Sequence, residues 1–351
     1  MAQGGESGER LAGISAGLAA AALFGSSAPF AKLLLPEASA LALSAILYLG
    51  AGAALSIWSV ARRERVEAGL QRADWPLLVG VIVLGGIAGP LLMLLGLERM
   101  SALSVALMLN LEAAFTILLA VGLFGEHLGA LEALAAAAVV CGAALVGLGP
   151  GRLHGDLIGA AEIAGACLAW GIDNNLSQRL SLRDPVAVAR IKTLGAGACT
   201  LAVALALGCR IPTGAALGGA LAVGALCYGA SLVLDMRALR ILGSAREAAF
   251  FATAPFMGAM AAVFVFGRAP RVSEWTGGVL MAAGVALLMR ERHAHLHTHE
   301  ELEHEHLHVH DEHHLHPHCP PATEPHSHPH RHTPLTHDHP HLSDLHHRHV
   351  H

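Results

Sequence analysis

Apolar runs of about 20 residues recur between Leu11 and Met289, and each is long enough to cross the roughly 30 Å hydrocarbon core of a bilayer as a helix. Ten are legible, approximately Leu11 to Leu35, Ala38 to Val60, Pro76 to Leu97, Ala102 to Phe124, Ala130 to Leu148, Leu157 to Leu176, Pro185 to Leu207, Ala215 to Asp235, Ala245 to Gly267 and Val272 to Met289. The runs do not alternate apolar with polar, so the expected class is an all-α integral membrane protein rather than a barrel. Composition agrees: 54% hydrophobic against 14% charged residues, with a mean hydropathy of +0.53. A set of soluble domains is excluded, and no basic patch suggests a nucleic-acid partner.

The chain is two objects. Of its 25 His, 23 lie from His293 onward, together with nine Asp/Glu and two Arg. The remainder, Met1 to Arg292, holds 20 Lys/Arg against 18 Asp/Glu and is close to neutral. The opening MAQGGESGER sets Glu6 and Glu9 against Arg10, lacking the positive start of a secretory signal, and the run behind it is too long for one, so it reads as the first span. Cys141, Cys167, Cys199, Cys209 and Cys227 sit in or beside apolar segments without a C-x-x-C pair, which makes neither a zinc cage nor a disulfide framework.

Lys and Arg bias sets orientation. With the amino terminus inside, fourteen basic residues fall on the cytoplasmic side, Arg190, Lys192 and Arg237 among them, and six on the other: Lys32, Arg99, Arg152, Arg210, Arg268 and Arg271. Residues 1–10 and both termini are therefore expected in the cytoplasm, with the chain multi-pass in the inner (plasma) membrane. An internal repeat adds a constraint. Gly13 and Gly25 match Gly159 and Gly171 at an offset of 146, with Phe24 answering Trp170; Leu123-Phe124-Gly125 matches Val265-Phe266-Gly267, and Gly142 matches Gly284, at an offset of 142. Residues 11–149 and 157–290 then form two five-helix halves. An odd number of crossings inverts the second half, the plan of secondary transporters with a site near the midplane.

The stretch Leu23-Phe24-Gly25-Ser26-Ser27-Ala28-Pro29-Phe30-Ala31-Lys32, Asn110-Leu111-Glu112 followed by Gly125-Glu126-His127-Leu128, and Ala254-Pro255-Phe256 leading to Phe266-Gly267 resemble the EamA type of the drug/metabolite transporter superfamily. The resemblance covers roughly Leu11 to Met289. Two positions depart from it: Ala113 follows the fourth-span Glu where the family often has Pro, and Arg268 stands where the first half has Glu126. It implies a carrier, often an exporter of amino acids, metabolites or toxic organic compounds, and names no cargo.

A carboxylate in hydrocarbon costs about 2.5–3.5 kcal/mol on insertion scales, so one retained there needs a partner or a task. Glu112, halfway along the fourth span, reads as a proton-titrating or cargo-contacting group, or else as a structural carboxylate bonded to a neighbouring helix. Asn110 is a further candidate for cargo contact or coupling, close in sequence to Glu112 but about 200° round the helix, so the two need not share a face. The sixth span ends in Trp170-Gly171-Ile172-Asp173-Asn174-Asn175, whose Trp170, Asp173 and Asn174 either line the inner mouth of a cavity or cap the helix at the interface. Glu162 is expected at the outer interface, and Asp235 in an ion pair with Arg237 or Arg240. Gly13 and Gly17, Gly85 and Gly89, and Gly214 and Gly218 are small-xxx-small packing pairs, while Pro29 and Pro90 would kink their spans.

The segment 293–351 reads as a disordered cytoplasmic tail, too poor in apolar residues for a core and broken by Pro317, Pro320, Pro321, Pro325 and Pro329. Its alternating imidazoles, His293, His295, His297, His299, His304, His306, His308, His310, His326, His328, His330 and His332, suit a divalent metal such as Ni, Zn or Co. No cofactor is required, and no nucleophile, base or cofactor fingerprint points to an enzyme. The expected partners are the bilayer and a small-molecule solute, with divalent metal on the tail and a homodimer left open. Three readings compete: an exporter of a small organic compound, coupled to protons and working by alternating access; a divalent metal exporter sensing or buffering metal with its tail; and a membrane metal sensor that transports nothing.

Overall fold

A backbone surrounded by apolar side chains satisfies its N–H and C=O groups by coiling. All ten runs are helical in the computed structural model, which describes residues 3–61, 69–124, 129–148, 154–177, 180, 183–242, 244–289 and four segments between 293 and 341. In order these are α1 (Gln3–Gly25), α2 (Ser27–Leu34), α3 (Ala40–Ala61), α4 (Trp75–Val81), a π-helical segment (Ile82–Ala88), α5 (Gly89–Arg99), α6 (Ala102–Met108), α7 (Leu111–Phe124) and α8 (Ala130–Leu148). The second half follows with α9 (His154–Ser177), α10 (Pro185–Ala206), α11 (Gly214–Val223), a second π-helical segment (Gly224–Ala230), α12 (Ser231–Leu242), α13 (Ser244–Phe251), α14 (Ala254–Phe266) and α15 (Val272–Leu288). Eight of these helical stretches are long and apolar enough to cross a bilayer; α15 is apolar but 17 residues long, and the 24-residue α9 carries Asp156, Glu162 and Asp173. The described membrane body is all-α and multi-pass.

Several runs that look continuous in sequence are interrupted. The first bends at Ser26 ahead of Pro29, the fourth breaks at Leu109–Asn110 and the ninth at Ala252–Thr253. The last two breaks stand 143 residues apart, and the two π segments 142 apart. The first-span bend has no counterpart, since α9 is continuous.

Helix packing crosses between the halves. α3 packs on α10, α8 on α15, α1 on α12, α5 on α9, and α6 on α14. Exchanging the halves turns the α1 with α12 contact into the α9 with α5 contact, and both are present. Close approach depends on missing side chains: a Cβ on Gly25 would strike the Ala254 carbonyl, and one on Gly258 the carbonyl of Gly25. Gly13 and Gly17 likewise seat Ile241 and Phe250. Gly214 and Gly218 depart from expectation. A Cβ on either would meet nothing within 4 Å, and Gly214 opens α11 at φ +55°, so its work is backbone conformation rather than packing.

Side-chain ties gather at two ends. At one, Lys32 donates to the Leu97 and Glu98 carbonyls, Arg99 pairs with Glu162 at 3.0 Å, the Ser39 N–H donates to Arg210 O at 3.0 Å, and Arg268 pairs with Glu274. At the other, Arg183 pairs with Asp74 at 2.8 Å and Arg190 donates to Ser59 Oγ at 3.0 Å. This sorting requires successive spans to run in opposite directions.

Beyond residue 292, where regular structure was not expected, the backbone forms β1 (His293–His299), β2 (Leu302–His308), β3 (His326–His332) and β4 (Leu335–His341). β1 pairs antiparallel with β4 and β2 with β3, setting His295 opposite His339 and His306 opposite His328.

Candidate functional site

Pro90 shapes the middle of the molecule. In the first π segment the Gly85 carbonyl would look five residues ahead for a donor, and Pro90 has no N–H; the Gly89 N–H is already given to Leu84 O. The orphaned oxygen is taken up by side chains from two other helices: Tyr48 Oη of α3 donates to it at 2.9 Å and Trp170 Nε1 of α9 at 3.1 Å. The glycines expected only to pack therefore seat site residues, since a Cβ on Gly89 would strike the Trp170 indole and one on Gly85 the Asp173 carboxylate.

One turn beyond Trp170, α9 delivers its polar cluster. Asp173 is buried, forms an ion pair with Lys192 of α10, and accepts from Ser177 Oγ at 3.4 Å. Asn174, on the exposed side, donates at 2.9 Å to Glu112 Oε1 and at 3.3 Å to Thr116 Oγ1. Asn175 is buried and spends its amide on Thr116 O and Gly171 O. Glu112 stands two residues past the Leu109–Asn110 break, half-buried, within electrostatic reach of Asp173 and Lys192. An aromatic wall from both halves completes the centre: Tyr48 and Tyr228 lie 5.9 Å apart, Phe24 meets Tyr228 edge-on at 5.9 Å, and Phe24 and Phe251 lie 5.2 Å apart.

Of the five residues singled out in the spans, Glu112, Trp170, Asp173 and Asn174 are thus brought together. Asn110 is not among them. It is buried behind the helix break, donating to Leu107 O at 2.8 Å with Met281 Sδ 3.7 Å away. Tyr48, Gly85, Thr116 and Lys192 were missed. Lys192 had been counted with the cytoplasmic charges, but it lies inside α10, where Asp173 neutralises it. Its distance from Pro185, seven residues into an apolar run, was the available signal.

Glu162, expected at the outer interface, pairs with Arg99 at 3.0 Å. The Asp235 carboxyl faces that of Glu247 on α13, and the side chain of Arg240, one of its two expected partners, lies outside the described residues. No metal-holding group of three or more His, Cys, Asp or Glu occurs among the described residues. The tail histidines named above lie outside the residues whose side chains are described, His310 altogether.

The EamA-like transporter family matches this sequence twice, at residues 11–148 and 157–290. A curated relative from Methanothermobacter thermautotrophicus, described as an uncharacterized transporter, is 28% identical over 298 residues, covering 80% of this chain and 86% of its own. A solved structure described only as the crystal structure of a protein superposes with a TM-score of 0.56 at 19% identity, over 80% of this chain and 96% of its own, a likeness of fold.

Proposed function

The chain belongs to the EamA-like transporter family, a family of transporters rather than enzymes, and from that premise we propose a secondary-active carrier that exports a small organic solute by proton-coupled alternating access. The observation that carries this reading is the convergence of Tyr48, Gly85, Glu112, Asp173, Asn174 and Lys192 from five spans in an otherwise apolar body. Ionisable residues held at that depth mark solute or proton pathways. Ten spans in two inverted five-helix halves is the accompanying architecture. It is supported by the double family match, the recurrence of the π segment, and helix contacts that survive exchange of the halves. An inner membrane with both termini cytoplasmic is the orientation favoured by the charge asymmetry, which stands at thirteen to six once Lys192 is set aside as part of the buried centre.

Each residue has a task in this account. Glu112 gives up or takes a proton as cargo arrives or leaves, and Asn174, itself anchored on Thr116 Oγ1, holds its carboxyl in place. Tyr48 and Trp170 pin the π segment to α3 and α9, so a change in their bonds passes directly to the third span. The tail binds divalent metal at the cytoplasmic mouth and senses or buffers it; the registers that set His opposite His across both ladders favour that role. Metal export as the main activity has only this tail behind it.

Glu112→Gln keeps the shape and most of the hydrogen bonding but removes titration. In proteoliposomes it should insert like the native protein and lose solute movement driven by a pH gradient. Gradient-driven transport at the native rate in this variant would return Glu112 to a structural role.

A further inference from the structure

The centre contains three charged side chains, and their sum is informative. Asp173 and Lys192 cancel as a buried pair. Glu112 makes its hydrogen bonds to neutral groups, the Asn174 amide and, through that amide, the Thr116 hydroxyl, and it feels the Asp173 and Lys192 charges together. The other titratable groups facing the cluster are Tyr48 on α3, Tyr228 in the second π segment and Cys167 on α9, all uncharged in their ordinary protonated forms. With its carboxylates ionised the centre is therefore left with one uncompensated negative charge, a costly condition away from bulk water.

We propose that this site takes a monovalent organic cation and exchanges it for one proton. The inference deepens the carrier reading and rests on it. One added positive charge neutralises the centre, and either a proton on Glu112 or a cationic cargo beside it supplies that charge. An anionic solute would double the imbalance. Tyr48 and Tyr228, with Phe24 edge-on to Tyr228 and Trp170 bonded to the same Gly85 carbonyl as Tyr48, gather aromatic rings of the kind that attract a cation through their quadrupoles. Asn174 is exposed and Glu112 half-buried, whereas Asp173 is buried and already paired with Lys192, so the unpaired carboxylate is the one left for a cation.

The proton balance follows. On the cytoplasmic side the cation binds as the Glu112 carboxyl releases its proton to water; on the outer side a proton returns to the same carboxylate as the cation leaves. One positive charge moves each way, so the cycle transfers no net charge.

The test uses the full chain in liposomes with a trapped pH dye. The probes are three fixed monocations, benzyltrimethylammonium, tetraethylammonium and tetraphenylphosphonium, and the aromatic anion hippurate. At least one monocation should move against a proton one for one, at a rate that clamping the membrane potential leaves unchanged. Asp173→Asn brings the ionised centre to zero and Lys192→Met brings it to minus two, so each should lower cation exchange by about 30-fold or more. The double variant returns the centre to minus one, and exchange should recover to within about threefold of native. Proton-coupled hippurate transport without cation exchange overturns the charge inference and leaves the carrier reading standing. A double variant that elutes as a folded species but stays inactive also overturns it. Gradient-driven movement of none of the four probes counts against the inference, and only if a wider screen of neutral solutes is also silent does the carrier reading fall with it.

Discussion

A proline without an N–H has consequences at the residue scale that reach two neighbouring helices. Because Pro90 leaves the Gly85 oxygen unserved by the backbone, Tyr48 and Trp170 share the task of satisfying it. Tyr48→Phe or Trp170→Phe alone should cost about 0.5–1.5 kcal/mol, since one donor remains. The double variant should cost more than the sum, because a buried carbonyl is then orphaned; thermal unfolding of the four proteins in detergent gives the coupling, and strict additivity would refute the shared role. Glu112 was legible from depth alone, and Trp170, Asp173 and Asn174 from a polar cluster that ends an apolar span. Lys192 was not, because a charge near other basic residues reads as interfacial until a buried partner is seen. Asn110 is a different case: helix periodicity already set it about 200° from Glu112, and the structure has it donating to Leu107 O beside the break at Leu109–Asn110.

At the scale of elements, the helices could be read from hydrophobic runs, because burying backbone polar groups in lipid permits little else. The interruptions could not. A run of apolar residues carries no mark of where a π turn or a break falls, and Ser26, Asn110 and Thr253 are common enough inside spans to pass unnoticed. Glycine was equally ambiguous: the same small-xxx-small spacing covers Gly85 and Gly89, which seat Asp173 and Trp170, and Gly214 and Gly218, which meet nothing. That difference is testable. Gly25→Ala should cost about 1–3 kcal/mol, because α1 and α14 must separate to admit the methyl group. Gly218→Ala, with open space around it, should stay within about 0.5 kcal/mol of native. Melting temperatures of the two purified variants decide it, and equal losses would remove the close crossing from the account.

For the whole molecule, alternation of spans and separation of body from tail are the organising claims. A reporter fused after Arg292 should read cytoplasmic, and one inserted between Arg268 and Arg271 external; the reverse pair of readings would overturn the orientation. Truncation after Arg292 should leave the helical body folded by circular dichroism and remove high-capacity Ni or Zn binding. In the intact chain that binding should weaken as pH falls through about 6.5, because protonated imidazole is no ligand. Retention of several metal equivalents by the truncated protein would move the sites into the membrane body.

The most direct measurement concerns access to the centre itself. In a background whose six cysteines are replaced, Thr116→Cys puts a thiol beside Glu112 and Asn174. Its reaction with a membrane-impermeant maleimide is followed separately from each side of oriented vesicles, at two pH values and with saturating cargo. Alternating access predicts labelling from either side, with conditions that speed one side slowing the other. Labelling from a single side under every condition, or from both sides with rates that rise and fall together, would contradict it.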